Sequence, residues 1–283
     1  MDIWKSEVWK DKYKDHNVRK GLRLKFDRGI DEKLKTGFKE YCRWLRSEYT
    51  FPIRVPVYVK NFKKIKAMDG EYVFGTFLGP FNFLEEPYVR VAAGDFKESF
   101  EEMGEQAVYQ YLCTLTHELT HYFQWLNNSE LTQIGKERQA TITADRIVQR
   151  YVDAKYEEKQ QFLHKLEQSA KRREINEAEI DKLRKIAFED DVNNKILIAR
   201  ILEESKLIES EKILLHLTKD IDDVVRMEAC NALSNSDSLE VYEALKGIAS
   251  KDSVGMVRGY AIVALGDVAV EINKEKEATK FLK

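Results

Sequence analysis

Two histidines four residues apart, His117 and His121, stand in the run LCTLTHELTHYFQWLNN (112–128), with Glu118 directly after the first. On a helix, positions i and i+4 project from one face, so both imidazoles can share one tetrahedral cation. Glu118 is rotated by about 100° from His117. It would lie beside such an ion without binding it, within reach of a bound water. Zinc lowers the pKa of its water to about 7; the adjacent carboxylate can take the proton and later pass it to a leaving amine. The residue types and spacing therefore suit metal-assisted hydrolysis, with Zn2+ as cofactor, His117 and His121 as metal ligands and Glu118 as catalytic base. The competing reading is an amphipathic helix that carries two half-buried histidines. The surroundings favour the metal. Leu119, Thr120 and Tyr122 are uncharged, Phe123 is apolar, and two of the chain's five histidines (16, 117, 121, 164 and 216) fall inside these five residues.

A catalytic zinc takes three protein ligands and keeps one open position. Gln124 and Asn127 occupy the places where a metzincin would carry its glycine and third histidine, so the third ligand is expected to be a downstream carboxylate. Glu130, Glu137 and Asp145 are the candidates. Glu130 falls in a short loop. Glu137 opens the next helix in the context ERQATITAD, where Ala140, Thr141 and Ala144 allow close packing on the histidine helix. This Glu-x-x-Ala stretch resembles the gluzincins, the glutamate-ligand zinc peptidases. Gln139 stands where that pattern has its second acidic residue and Thr141 at its last position, which thins the support behind the histidines; Asp145, two turns along, could supply some of it. The resemblance implies a zinc metallopeptidase with Glu137 as the favoured third ligand and a peptide or protein substrate. It also implies an edge strand that binds substrate backbone, and a tyrosine or histidine that stabilises the transition state. PYVRVAAGD (87–95) is the candidate edge strand, with an interior strand as the equal alternative. Tyr151, Tyr156 and His164 are candidates for the stabilising group.

Helical spacing of Leu34, Phe38, Tyr41, Cys42 and Leu45 predicts a helix over about 31–49. FPIRVPVYVK (51–60), EYVFGTFLGPF (71–81) and PYVRVAAG (87–94) read as three strands with glycine and proline punctuation. A long helix follows from about Glu101 to Leu126, with Leu112, Leu115, Leu119, Tyr122 and Leu126 as its core stripe and Thr114, His117, Glu118, His121 and Trp125 on the stripe beside it. Residues 1–30 show only weak helical periodicity. The expected N-terminal fold is α+β and zincin-like over residues 1–155: helix, small sheet of about three strands, HExxH helix, ligand helix.

Beyond about residue 155 strand signals vanish. After a helical linker (156–174), segments starting at Leu183, Leu214 and Leu245 repeat at 31-residue spacing. Val225-Arg226, Ala229 and Ala232-Leu233 recur as Val257-Arg258, Ala261 and Ala264-Leu265; the first segment is the most divergent, with Asn193-Asn194 set against Val-Arg. The pattern resembles HEAT-type repeats of the armadillo-like class. It implies an all-α solenoid over 175–283 that holds a protein partner, since such units bury their apolar faces only by stacking.

Bulk properties narrow the partners. A net charge of −2 gives no field that draws the chain to nucleic acid or membrane. The basic clusters KNFKKIK (60–66) and KRRE (171–174) read as solvated surface. No apolar run reaches the ~18 residues of a membrane span, and the start of the chain is too charged for a secretory signal. Cys42, Cys113 and Cys230 stand in no metal or disulfide spacing and read as core residues of a cytoplasmic protein. Three functions follow: a zinc metallopeptidase whose repeats recruit substrate or partner; a catalytically weak or inactive metal-containing interaction module in which the repeats carry the function; or a regulator that uses the same chemistry on a single target.

Overall fold

The computed structural model describes residues 2–10, 19–68, 70–82, 85–170, 174–189, 191–205 and 207–281. His16 and the basic residues 171–173 lie outside the described residues. The chain divides into two compact units, Met1–Lys155 and Tyr156–Lys283.

In the first unit a 3₁₀ turn (Ile3–Lys5) is followed by β1 (Leu22–Phe26), α1 (Glu32–Glu48), β2 (Val55–Lys60), β3 (Ile65–Lys66), β4 (Tyr72–Val73), β5 (Gly75–Leu78) and β6 (Tyr88–Ala92). Two helices come next, α2 (Phe96–Met103) and α3 (Glu105–Leu126), and then α4 (Gln133–Ala170), whose C-terminal part belongs to the second unit. The main sheet has four strands in the order β1-β2-β6-β5, where three were expected; β3 and β4 form a separate two-stranded ribbon. β1 and β2 run parallel, as do β2 and β6, while β5 is antiparallel to β6. The added strand is β1, in the region read as weakly helical. Leu22, Leu24 and Phe26 alternate with Arg23 and Lys25 at strand period, so its signal was period two.

Of the two readings of 87–95, edge or interior strand, β6 takes the second: it lies between β2 and β5, and β5 is the edge next to the histidine helix. The long helix expected over 101–126 is also two helices, because Gly104 at φ +58° closes α2 and opens α3 in a backbone conformation that L side chains rarely adopt.

Val57, Val59, Val89 and Val91 are fully buried on the face that α3 covers. The leucine stripe of α3 enters this core as expected: Leu115, Leu119, Tyr122 and Leu126 are solvent-inaccessible. The Tyr122 hydroxyl donates to the Ile53 carbonyl at 2.8 Å and accepts from the Ile53 N–H at 3.2 Å, which ties α3 to the segment entering β2. Two buried threonines fix its rotation: Tyr41 Oη meets Thr116 Oγ1 at 2.6 Å, and Trp4 Nε1 donates to Thr120 Oγ1 at 3.0 Å. The three cysteines are free. Burial pushes Cys42 and Cys230 up to about 12 and Cys113 to about 11, so they stay as inert thiols.

The second unit stacks helices in pairs: α5 (Glu177–Ala187) with α6 (Val192–Leu202), α7 (Ile208–Leu217) with α8 (Asp223–Ala232), and α9 (Leu239–Lys251) with α10 (Gly255–Glu271), followed by α11 (Glu275–Phe281). Charged rungs recur between successive turns. Lys159 pairs with Glu189 at 2.7 Å, Lys195 with Asp220 at 2.7 Å, and Arg226 with Asp252 through two bonds of 2.9 and 3.1 Å. The second rung shifts the alignment of the first repeat by one residue. Lys195, not Asn194, holds the place of Arg226, and the Asn194 side chain bonds instead to the capping Asp191. The stretch read as a linker is also more than a spacer, since Leu163 and Leu166 of α4 are buried in the repeat core. Among the described residues no helix is long and apolar enough to cross a membrane.

Candidate metal centre

His117 and His121 project from α3 one turn apart, and Glu137 approaches from the first turn of α4. His121 Nε2 lies 3.1 Å from His117 Nε2; Glu137 Oε2 lies 3.2 Å from His117 Nε2, and Glu137 Oε1 3.5 Å from His121 Nε2. Ligands about 2.0–2.1 Å from a tetrahedral zinc are separated from each other by about 3.3 Å. The three spacings bracket that value, so the donor set fits zinc in distance and in chemical type. Among the described residues these are the three His, Cys, Asp or Glu groups whose ligand atoms come together in this way.

The other two carboxylates weighed as ligands go elsewhere. Glu130 is exposed in the loop between α3 and α4, outside the cluster. Asp145 accepts a bond from Tyr109 Oη at 2.8 Å and supports neither histidine.

Support behind His121 comes from Gln124, one turn further along the same helix. The two side chains meet at 2.8 Å, His121 Nδ1 against Gln124 Oε1. With the proton on Nδ1, Nε2 is left as a lone pair aimed at the cluster. Gln124 is itself held, because its amide donates to the Lys136 carbonyl at 2.9 Å and to Gln139 Oε1 at 3.0 Å. A glutamine at 139 thus orients the histidine through a relay of amides. Thr141 only bonds back to the Glu137 carbonyl. Gln133 donates to Glu137 Oε1 at 2.9 Å and steadies that carboxylate. Burial, and then the neighbouring His121, lower the pKa of His117, which favours its neutral, ligating form.

Glu118 is nearly fully buried beside the cluster, and its side chain packs against Gly75 of β5. A Cβ at Gly75 would stand 2.6 Å from Glu118 Oε1, so only glycine leaves room for this carboxylate. Burial, and then the charge of Glu137, push its pKa up to about 8. Neither Gly75 nor Gln124 was singled out from the sequence. Gln124 could have been found, since it lies three residues after His121 on the same helix face. Gly75 had no such signal, because its contact is 43 residues distant and depends on where β5 lies.

An open cleft of about 950 Å³ reaches the cluster. His117, Glu118, His121, Gln133, Lys136 and Glu137 form one wall, while Phe74, Thr76, Phe77 and Phe81, with Tyr88 and Arg90, line the side formed by β5 and β6. The Ala92 N–H donates to the Phe74 carbonyl at 2.8 Å, and Gly75 pairs with Val91. In that register the amides of Phe74, Thr76 and Leu78 face β6, and those of Gly75 and Phe77 face the open edge of the sheet.

The groups proposed to stabilise a transition state are not among the residues lining the cleft. Tyr151 packs in the first core against Tyr41 and Trp44. Tyr156 and His164 belong to the second unit, where Tyr156 is exposed and His164 Nε2 meets Gln168 at 2.8 Å. The tyrosine that lines the cleft is Tyr88.

Residues 180–266 match the family model for HEAT repeats, in agreement with the helix pairs and rungs of the second unit. Neither the curated proteins nor the solved structures give a match to this chain.

Proposed function

We propose that the first unit is a zincin-like, zinc-dependent hydrolase of peptide bonds and that the HEAT repeats hold its protein substrate or a partner protein. The observation that carries this reading is the trio His117, His121 and Glu137 at tetrahedral spacing, with the Glu118 carboxylate beside it and an open strand edge along the same cleft. Zinc bound there would polarise a carbonyl and acidify a water.

The chain's own groups divide the remaining work. Gln124 and Gln133 orient the ligands before any cation arrives. The outward amides of Gly75 and Phe77 receive an extended peptide as an added strand, which lays its backbone along the wall that carries Glu118. Glu118 accepts the proton of the attacking water and returns it to the leaving amine nitrogen. Its raised pKa suits the second of these steps, because a carboxyl that titrates near neutrality both takes and gives a proton. The cleft's aromatic side lowers water access around the reacting groups.

Zinc analysis of the full-length protein tests the reading directly, with about one ion per chain expected. Glu137→Ala should release the metal at chelator concentrations that the wild type resists. Unaltered zinc retention in that variant, or a wild type that takes up no zinc, would sink the metal centre. The recruiting role of the repeats follows from their class, since HEAT repeats commonly mediate protein–protein contacts.

A further inference from the structure

We propose that the cleft selects peptide segments carrying an acidic side chain, and that Arg90 on β6 is the residue that receives the carboxylate. The inference rests on the hydrolase reading above and names the substrate class of the same cleft.

Arg90 stands opposite Thr76 on the paired strands. Its side chain leans onto β5 and lines the cleft: Nε donates to Thr76 Oγ1 at 3.0 Å and one terminal nitrogen to the Lys66 carbonyl at 3.4 Å. The guanidinium carbon lies 5.9 Å from the centroid of the Tyr88 ring. All three neighbours are neutral. Among the described residues no carboxylate pairs with Arg90; Arg23, Arg28, Arg43, Arg46, Arg138 and Arg258 are also without one, but of these seven Arg90 alone lines the cleft. The guanidinium is thus fixed in place and left with an uncompensated charge and a free edge, the arrangement that suits a two-pronged bond to a carboxylate.

Strand geometry says where that carboxylate comes from. Side chains of a peptide added to β5 alternate between the two faces of the sheet. One set faces α3 and the metal cluster with Gly75 and Phe77. The other set falls beside Thr76, under the reach of Arg90, so an acidic residue one position away from the metal-facing residue would meet the guanidinium. The remaining charge of the cleft agrees. Among the described residues, the charged groups lining the cleft apart from the metal trio and Glu118 are Arg90 and Lys136, both cations. Lys136 stands on the facing wall, and its amine has no carboxylate partner among the described residues.

Fluorescein-labelled peptides of one extended scaffold, with Glu, Gln or Lys placed at successive positions, test the assignment by anisotropy. The protein is the full chain carrying Glu118→Gln and loaded with zinc, so that binding is read without cleavage. At one position Glu should bind roughly tenfold more tightly than Gln, the low end of what a hydrogen bond to a charged group provides, with Lys weaker than both. Adding Arg90→Gln should bring the Glu-to-Gln ratio to about one with zinc content unchanged, Arg90→Lys should restore part of it, and Arg90→Glu should turn the preference toward Lys. Equal binding of Glu and Gln peptides at every position, a ratio that survives Arg90→Gln, or no binding by any Glu peptide would overturn the proposal. Wild-type protein that fails to cut peptides for which the preference holds would condemn the hydrolase reading alone.

Discussion

Arg226 and Asp252 in the repeats, and Glu118 in the first unit, are titratable groups of similar burial put to opposite uses. The guanidinium and carboxylate of the repeat pair keep 12% and 10% of their exposure and neutralise each other through two hydrogen bonds. Glu118 is 8% exposed, pairs with no cation among the described residues and has a second carboxylate as its electrostatic neighbour. A paired buried charge is construction: it fixes the register of one turn on the next. An unpaired one costs folding free energy and persists where chemistry or a cation compensates. The rungs Lys159–Glu189, Lys195–Asp220 and Arg226–Asp252 recur because one geometry recurs, whereas the candidate metal cluster occurs once among the described residues.

The contrast can be broken by substitution at each place. Glu118→Gln should abolish peptide hydrolysis, roughly a 10³–10⁴-fold loss in kcat by the upper range for general-base catalysis, while zinc content and thermal stability without metal are retained or rise. Retained cleavage would remove Glu118 from the mechanism. Arg226→Ala should do the reverse, leaving zinc content untouched and lowering stability by roughly 2–3 kcal/mol in urea unfolding. That is below the 3–5 kcal/mol of a fully buried pair, because both groups keep some contact with water. Gln124→Ala should weaken zinc binding by about 10–100-fold in chelator competition, the usual cost of removing a group that orients a ligand. Equal affinity would mean that the amide relay through Gln139 has no part in the site.

The smallest expected effect is a pH dependence. The hydrogen bond from Arg226 holds Asp252 below the ordinary carboxylate range. A folded-state pKa that lies below the unfolded one contributes stability that is complete above about pH 4 and is lost as the pH falls through the folded value. Acid unfolding of the full chain should therefore show a component below about pH 4 that Arg226→Ala removes. An acid limb that is identical in the variant would separate Asp252 from the acid response.

The parts of the fold legible in the chain were those set by spacing along one element. The stripe Leu115, Leu119, Tyr122 and Leu126 and the pair His117 and His121 follow from a 3.6-residue period, and the repeats follow from recurrence at 31 residues. Where two elements had to be placed against each other, the reading slipped. Spacing left edge and interior strand equally open for β6, and it aligned Asn194 with Arg226 although Lys195 makes the rung. The support it sought for the histidines at Asp145 is bound to Tyr109, and Gln124 supplies it in its place.

The sequence by itself determined that two imidazoles and a carboxylate share a face of one helix, because helical geometry follows from local backbone hydrogen bonds. It also determined that the last hundred residues stack as helix pairs. Only the tertiary structure decided which acidic residue meets the histidines, that Gly75 makes room for Glu118, and that Arg90 is left without a counter-charge beside an open strand. Those three facts depend on contacts between residues 14 to 43 positions apart, and the packing of strands and helices on one another sets them where no period along the chain does.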